Sequence, residues 1–276
     1  FHPPQLLAAV PAIAMALEQT DTLRVGCRVF CNDYRHPVIL AKEAATMDYL
    51  SDGRLEFGLG AGWIKAEYEA AGFSFDEFPQ RFERFAESVH AYKAFMSGEP
   101  LEVDGQSIRW SGFSGTPAPA QAPHPPLMIG GGSKKILEFA GAEADIVSLN
   151  FNTRAGMLGP DGMNSGLAAA TAKKIDWIRN GAGARFDDIE LEIGAYNTIV
   201  TDHQEPTAEA IGQALGMSTE DILLHPHCLI GSVDFICEEL VRRRETYGIS
   251  YIAVLDDGEN NMVEAFAPVV ARLAGK

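Results

Sequence analysis

The sequence predicts an α/β fold, a parallel sheet covered by helices, on three observations. About six apolar, strand-like runs alternate with helical runs along the chain. The connections between most of them are short, and composition does not break anywhere, so residues 1–276 read as one domain. The chain is 46% hydrophobic, enough to bury a substantial core. A closed (β/α)₈ barrel needs eight strands. The strand count therefore leaves two architectures: a smaller open sheet, or an N-terminally shortened barrel.

Taken in order, residues 4–19 read as a helix and residues 22–31 as a strand with Leu23, Val25, Cys27 and Val29 on one face. Residues 37–50 form a helix that opens on Pro37 and stops before Asp52-Gly53. Residues 54–60 are a strand, followed by a short helix in "AEYEAAG". Residues 81–96 form a long helix with Phe82, Phe85, Val89, Tyr92 and Phe95 on one stripe. "LEVDGQSIRW" reads as a hairpin turning at Asp104-Gly105. Then come strand 127–129, helix 133–141, strand 145–149, a long loop over 150–166, and a helix to about 180. Strand 189–200, two helices within 206–224, helix 232–247, strand 250–255 and a final helix to 274 complete the pattern.

The net charge of −16, with no recurring basic patch, argues against nucleic acid and anionic membranes as partners. The longest apolar run, residues 6–17, is too short to span a bilayer and contains Pro11. Four cysteines without Cys-x-x-Cys spacing fit a reducing, cytoplasmic setting.

Two glycine-rich stretches carry the chemistry. In "GRLEFGLGAGW", Leu55, Phe57 and Leu59 point one way, while Glu56, Gly58 and Gly60 point the other. Gly60, Ala61 and Gly62 would let a flat ring approach bare main chain, with Trp63 as a wall; a tight turn explains the same residues. In "PPLMIGGGSKKILEF", a strand runs into Gly130, Gly131 and Gly132, and Ser133 opens a helix. Free N–H groups at a helix start hold phosphate, although an ordinary strand-to-helix turn has this form too. Together the stretches suggest a flat, phosphate-bearing ligand such as a flavin mononucleotide. A dinucleotide fingerprint is absent.

"LRVGCRVFCNDYRHPVILAKEAATMDYLSDGRLEFGLGAGW" resembles the bacterial-luciferase-like superfamily, and its wording is most similar to the branch that uses the deazaflavin coenzyme F-420. "HPPLMIGGGSKKILEFAGAEADIVSLN" and "GSVDFICEELVRRRETYGISYI" are similar to the same branch. The resemblance implies a luciferase-type (β/α)₈ TIM barrel, here lacking the first strand–helix–strand. It also implies a cofactor at the C-terminal mouth, a small-molecule substrate, and often a homodimer. It further implies a bulge with a non-prolyl cis peptide within residues 28–31, which makes Val29, Cys31 and Asn32 cofactor-facing candidates.

Around that mouth, Glu67 is a candidate acid or base, or else part of a solvated helix face. Asn150, at the end of a strand, is placed to hydrogen-bond cofactor or substrate. Cys31 reads as a small buried hydrophobe rather than a nucleophile. His36 reads as a helix cap. "HPHC" lacks the further ligands a metal requires, so no metal is expected. Arg242 to Arg244 read as a solvated face. The expected activity is hydride transfer between coenzyme F-420 and a small organic substrate. The alternatives are an FMN-dependent monooxygenase and a non-catalytic binding protein or inactive fragment.

Overall fold

The computed structural model describes residues 7–153, 156–256 and 261–275. It divides into two compact units. One comprises 1–130, 142–146 and 153–157; the other comprises 131–141, 147–152 and 158–276.

In the first unit, helix α1 (Ala9–Glu18) buries Ile13 and Leu17. The single strand expected over 22–31 is two short strands, β1 (Val25–Gly26) and β2 (Phe30–Cys31), on either side of a turn holding a cis Arg28–Val29 bond. Both pair in parallel with β3 (Leu55–Gly60), Val25 opposite Leu55 and Phe30 opposite Leu59. Residue 30 is five beyond 25, but 59 is only four beyond 55. The segment therefore carries one extra residue, as a β-bulge does. Leu23, expected on one strand face with Val25, is 60% exposed because the strand starts only at Val25.

Helix α2 (Pro37–Leu50) has the expected limits. The His36 Nδ1 accepts the Val38 N–H at its start, and Asp52 (φ 54) and Gly53 (φ 81) end it in the left-handed region. After β3 come α3 (Lys65–Ala71) and α4 (Phe78–Met96). The latter begins three residues earlier than expected, because Pro79 suits a first turn whose N–H groups have no helical partner. The hairpin pairs β4 (Pro100–Asp104) with β5 (Arg109–Ser114). Its turn is fastened to α4 by the Glu87 carboxylate, which accepts the N–H groups of Gln106, Ser107 and Ile108. Strand β6 (Leu127–Gly131) lies parallel to β3, with Phe57 opposite Leu127.

In the second unit, α5 (Lys134–Glu143) is followed by β7 (Ile146–Leu149). The stretch expected as an uninterrupted loop contains the short helix α6 (Pro160–Asn164) before α7 (Ala168–Ala182). The strand expected over 189–200 divides at Tyr196 into β8 (Glu190–Ala195) and β9 (Asn197–Val200), because the two halves take different partners. Helices α8 (Gln204–Leu215) and α9 (Thr219–Leu223) lead to β10 (Cys228–Gly231), a strand missed in the sequence, which pairs in parallel with β9. Helix α10 (Val233–Tyr247), capped by Ser232, leads to β11 (Ile249–Val254), parallel to β8, and then to α11 (Met262–Leu273). Strand β8 lies between β7 and β11.

Arg243 departs from its expectation of a solvated face. It is 1% exposed, donating to Glu239 Oε1 at 2.8 Å and to the carbonyls of Pro226, His225 and Cys228. A buried charge persists only when paired and fully hydrogen-bonded, and here it ties the segment before β10 to α10. Among the described residues no helix is long and apolar enough to cross a membrane.

Helices α5 and α7 touch main chain to main chain. A Cβ at Gly181 would overlap the Glu138 carbonyl, and one at Gly141 would overlap that of Ile178. Gly181→Ala is expected to cost about 1–3 kcal/mol by overpacking, a thermal midpoint lower by roughly 2–10 °C. An unchanged midpoint in a melting curve would contradict this contact.

Candidate active site

The first group of candidate residues gathers in the first unit, where β2 and β3 end beside Gly130 of β6. Gly60 and Gly130 occupy neighbouring strand tips: a Cβ on Gly60 would stand 4.0 Å from the Gly130 carbonyl oxygen. The glycines of β3, however, do not leave an open face. A Cβ at Gly58 would overlap the Cys27 carbonyl, one at Gly60 would lie 2.7 Å from Val29 Cγ2, and one at Gly62 would overlap the Tyr68 hydroxyl. Packing of the bulged segment and of Tyr68 accounts for all three. The Cys27 carbonyl and Val29 pack into the space that a side chain at residue 58 or 60 would take.

Beneath Gly62 lies a polar network. The Tyr68 hydroxyl donates to Asp33 Oδ2 at 2.9 Å and lies 3.2 Å from Cys31 Sγ. Arg84 donates to both Asp33 oxygens, at 2.8 and 2.9 Å, and to Asp76 Oδ2 at 2.9 Å. Burial, reinforced by Cys31 and Asp33, pushes the Tyr68 hydroxyl above its ordinary pKa. Burial likewise raises the Cys31 thiol, and raises that of Cys27 to about 11. Both sulfurs stay protonated at neutral pH, so neither is an activated nucleophile.

At the mouth, the Tyr34 hydroxyl donates to Glu67 Oε2 at 3.2 Å, and its ring stacks on Phe73 with centroids 5.2 Å apart. Glu67 is half-buried in the first turn of α3, and the Trp63 indole, 42% exposed, precedes that helix. Asn32 is 2% exposed, and its Oδ1 has no partner among the described residues. Arg81 is buried with its guanidinium turned to main-chain carbonyls. Tyr34, Asp33, Arg81 and Arg84 were not singled out in the sequence. The available signal was two arginines three apart on α4, beside an apolar stripe.

The second group lies in the second unit, except for Gly130. Gly131 makes room for Ile136, and Gly132 for the carbonyls of Asn150 and Phe151. The Ser133 hydroxyl, immediately before α5, is buried without a partner among the described residues. Asn150 is held on three sides. Its N–H donates to the Gly131 carbonyl, its Oδ1 accepts from Phe151 N and Tyr196 Oη, and its carbonyl accepts Lys174 Nζ at 2.5 Å. The side-chain amide nitrogen is left to donate elsewhere. Burial depresses Lys174 to about 8.

The "HPHC" histidines join an aromatic cluster. His227 packs against both Phe151 and Tyr196, with centroids 4.3 and 5.5 Å away, while those two rings stack on each other at 5.6 Å, and its Nδ1 meets the Gly194 carbonyl at 2.7 Å. His225 Nδ1 accepts the His227 N–H, which places the ring proton of the neutral form on Nε2. Burial, aided by the positive charges of Arg243 and Lys174, pushes His225 down to about 4.

Parallel strands covered by helices, with the candidate residues near the C-terminal strand tips, are the architecture of the α/β folds in which ligands bind at that end. The luciferase-like monooxygenase family matches residues 1–267, and the chain belongs to that family. It is 25% identical over 199 residues to an "FMNH(2)-dependent dimethylsulfone monooxygenase" of Pseudomonas putida, covering 72% of this chain and 50% of that protein. It is 26% identical over 208 residues to an "F420-dependent glucose-6-phosphate dehydrogenase" of Amycolatopsis mediterranei (strain U-32), covering 74% and 57%. The chain thus spans about half the length of the curated relatives it matches. Its fold is similar to that of the coenzyme F420-dependent tetrahydromethanopterin reductase of Methanopyrus kandleri, with a TM-score of 0.73 and 19% identity over 97% of this chain and 88% of the other. The fold is the luciferase-like TIM-barrel class expected from the sequence.

The folded pKa of His225 lies below its ordinary value of 6.5. The unfolded chain therefore takes up this proton first as pH falls, and stability present above about 6.5 is lost down to about 4. His225→Gln is expected to flatten the fall of the thermal midpoint across that interval. A variant with an unaltered slope would show that burial does not hold this ring neutral.

Proposed function

We propose that this chain is an oxidoreductase acting as one luciferase-type domain, and that it binds coenzyme F-420 and serves hydride transfer to or from a small organic substrate. Two groups of residues, taken separately, suit features of such a cofactor. Val29, Cys31, Asn32 and residues 60–63 suit the ring. Gly130, Gly131, Gly132, Ser133 and Asn150 suit the phosphate-bearing tail. The observation that carries the reading is the Ser133 hydroxyl, buried and without a partner among the described residues, just before the ten-residue α5. A buried polar atom without a partner is costly, and a phosphate oxygen at a helix start would satisfy it.

When bound, a deazaflavin accepts or donates the hydride, and the chain supplies placement and proton handling. Ser133 Oγ donates to the anion. The Asn150 amide, fixed by Tyr196, Lys174 and the Phe151 N–H, donates to a carbonyl or hydroxyl. Glu67 Oε2 is occupied by Tyr34, so Oε1 takes the proton from the substrate or returns it. Trp63 walls the mouth and restricts water. The relationship to the FMNH2-dependent monooxygenase supports a second reading, an FMN-dependent monooxygenase at the same site.

Titration of the protein with F-420 and with FMN, followed by ring absorbance and fluorescence, tests both. Saturable binding of F-420 alone is expected, weakened about tenfold by Ser133→Ala, as for one lost charge-assisted hydrogen bond. Binding of FMN alone would establish the second reading, and binding of neither would defeat both.

A further inference from the structure

Arg81 has no part in the roles assigned so far. It is 4% exposed, and its described hydrogen-bond partners are all main-chain carbonyls. Nε donates to Asp76 O at 2.9 Å; Nη1 donates to Ala61 O at 3.1 Å and also to Gly62 O. The guanidinium lies 4.2 Å from the Phe75 ring centroid, which fixes its plane.

Two successive carbonyls reach one nitrogen. In an extended strand they would alternate sides; Gly62, with φ at 74°, brings them to the same side. The two peptide bonds on either side of Gly62 are trans, since the cis bonds lie elsewhere. In a trans peptide the N–H points opposite to the C=O. Turning both carbonyls toward Arg81 therefore turns the Gly62 and Trp63 N–H groups away from it. Neither N–H has a partner among the described residues. Both belong to the connection before α3, not to the helix. Because the carbonyls converge, the N–H groups diverge slightly, a spacing that suits two neighbouring acceptors better than a single atom. Asn32, whose buried Oδ1 has no partner among the described residues, follows Cys31, which pairs with Gly60.

We propose that Arg81 is a positioning residue that presents the Gly62 and Trp63 N–H groups as a paired-donor edge. That edge binds the adjacent acceptor atoms of a planar heterocycle, the pyrimidine-dione edge that deazaflavin and flavin share. The inference rests on the reading that the ring binds at the β3 tip. Preorganised donors of this kind favour a ring form carrying more negative charge on that edge.

Hydrogen exchange of the Gly62 and Trp63 amides, read on the whole protein with and without saturating F-420 or FMN, is the test. In the wild type both amides are expected to exchange rapidly when free and at least about tenfold more slowly when the cofactor is bound. Arg81→Met is expected to weaken binding about tenfold, to abolish that protection and to shift the bound ring's absorption spectrum; Arg81→Lys restores part of each. If Arg81→Met does not fold, the wild-type exchange alone decides. Cofactor binding without amide protection overturns the donor edge and leaves the cofactor reading standing. Unchanged affinity and protection in Arg81→Met overturns the role of Arg81. A wild type that binds neither cofactor overturns both readings.

Discussion

The close approach of the bulged Arg28–Val29 segment to β3 is the constraint on which the mouth of the first unit depends. One extra residue between β1 and β2 presses the Cys27 carbonyl and the Val29 methyls against β3, where any side chain at residues 58 and 60 would collide. That contact sets where Cys31 and Asn32 emerge, and hence where Asp33 and Tyr34 stand. A methyl group at either glycine would shift the segment, and the candidate residues with it.

Charges in this region are spent on scaffolding. Asp33 takes Arg84 and Tyr68, Arg84 takes Asp33 and Asp76, and Arg81 takes three carbonyls. Low local dielectric makes such a network firm when every member is satisfied. The groups left over are neutral or singly engaged: the Asn32 amide, two backbone N–H groups, one Glu67 oxygen and the Trp63 indole. In the second unit the pattern recurs, with Lys174 and Tyr196 holding Asn150 so that one amide nitrogen remains.

Much of the fold was legible in the sequence. Pro37 and Asp52-Gly53 delimit α2, Asp104-Gly105 turns the hairpin, and the resemblance placed a cis bond within residues 28–31, where Arg28–Val29 is found. The strand over 189–200 misled because its apolar pattern continues through Tyr196 while the pairing changes partner. β10 is four residues long and follows a histidine-rich turn, too short to show a period. Arg243 misled because three consecutive arginines look alike, and only the fold decides which one points inward. The glycines of β3 are bare for a reason the sequence does not show: they accommodate the chain's own atoms. Arg81 was not legible, because its partners are carbonyls, which every residue has.

Helix α4 carries Arg81, Arg84 and Glu87 at intervals of three residues, each gripping a different connection: the one after β3, the one after β2 and the hairpin turn. A rod pinned at three heights behaves as a splint. The three connections it binds are obliged to travel together, so a push on the hairpin far along the rod registers as a tilt at the Trp63 end instead of dissipating in loose coil.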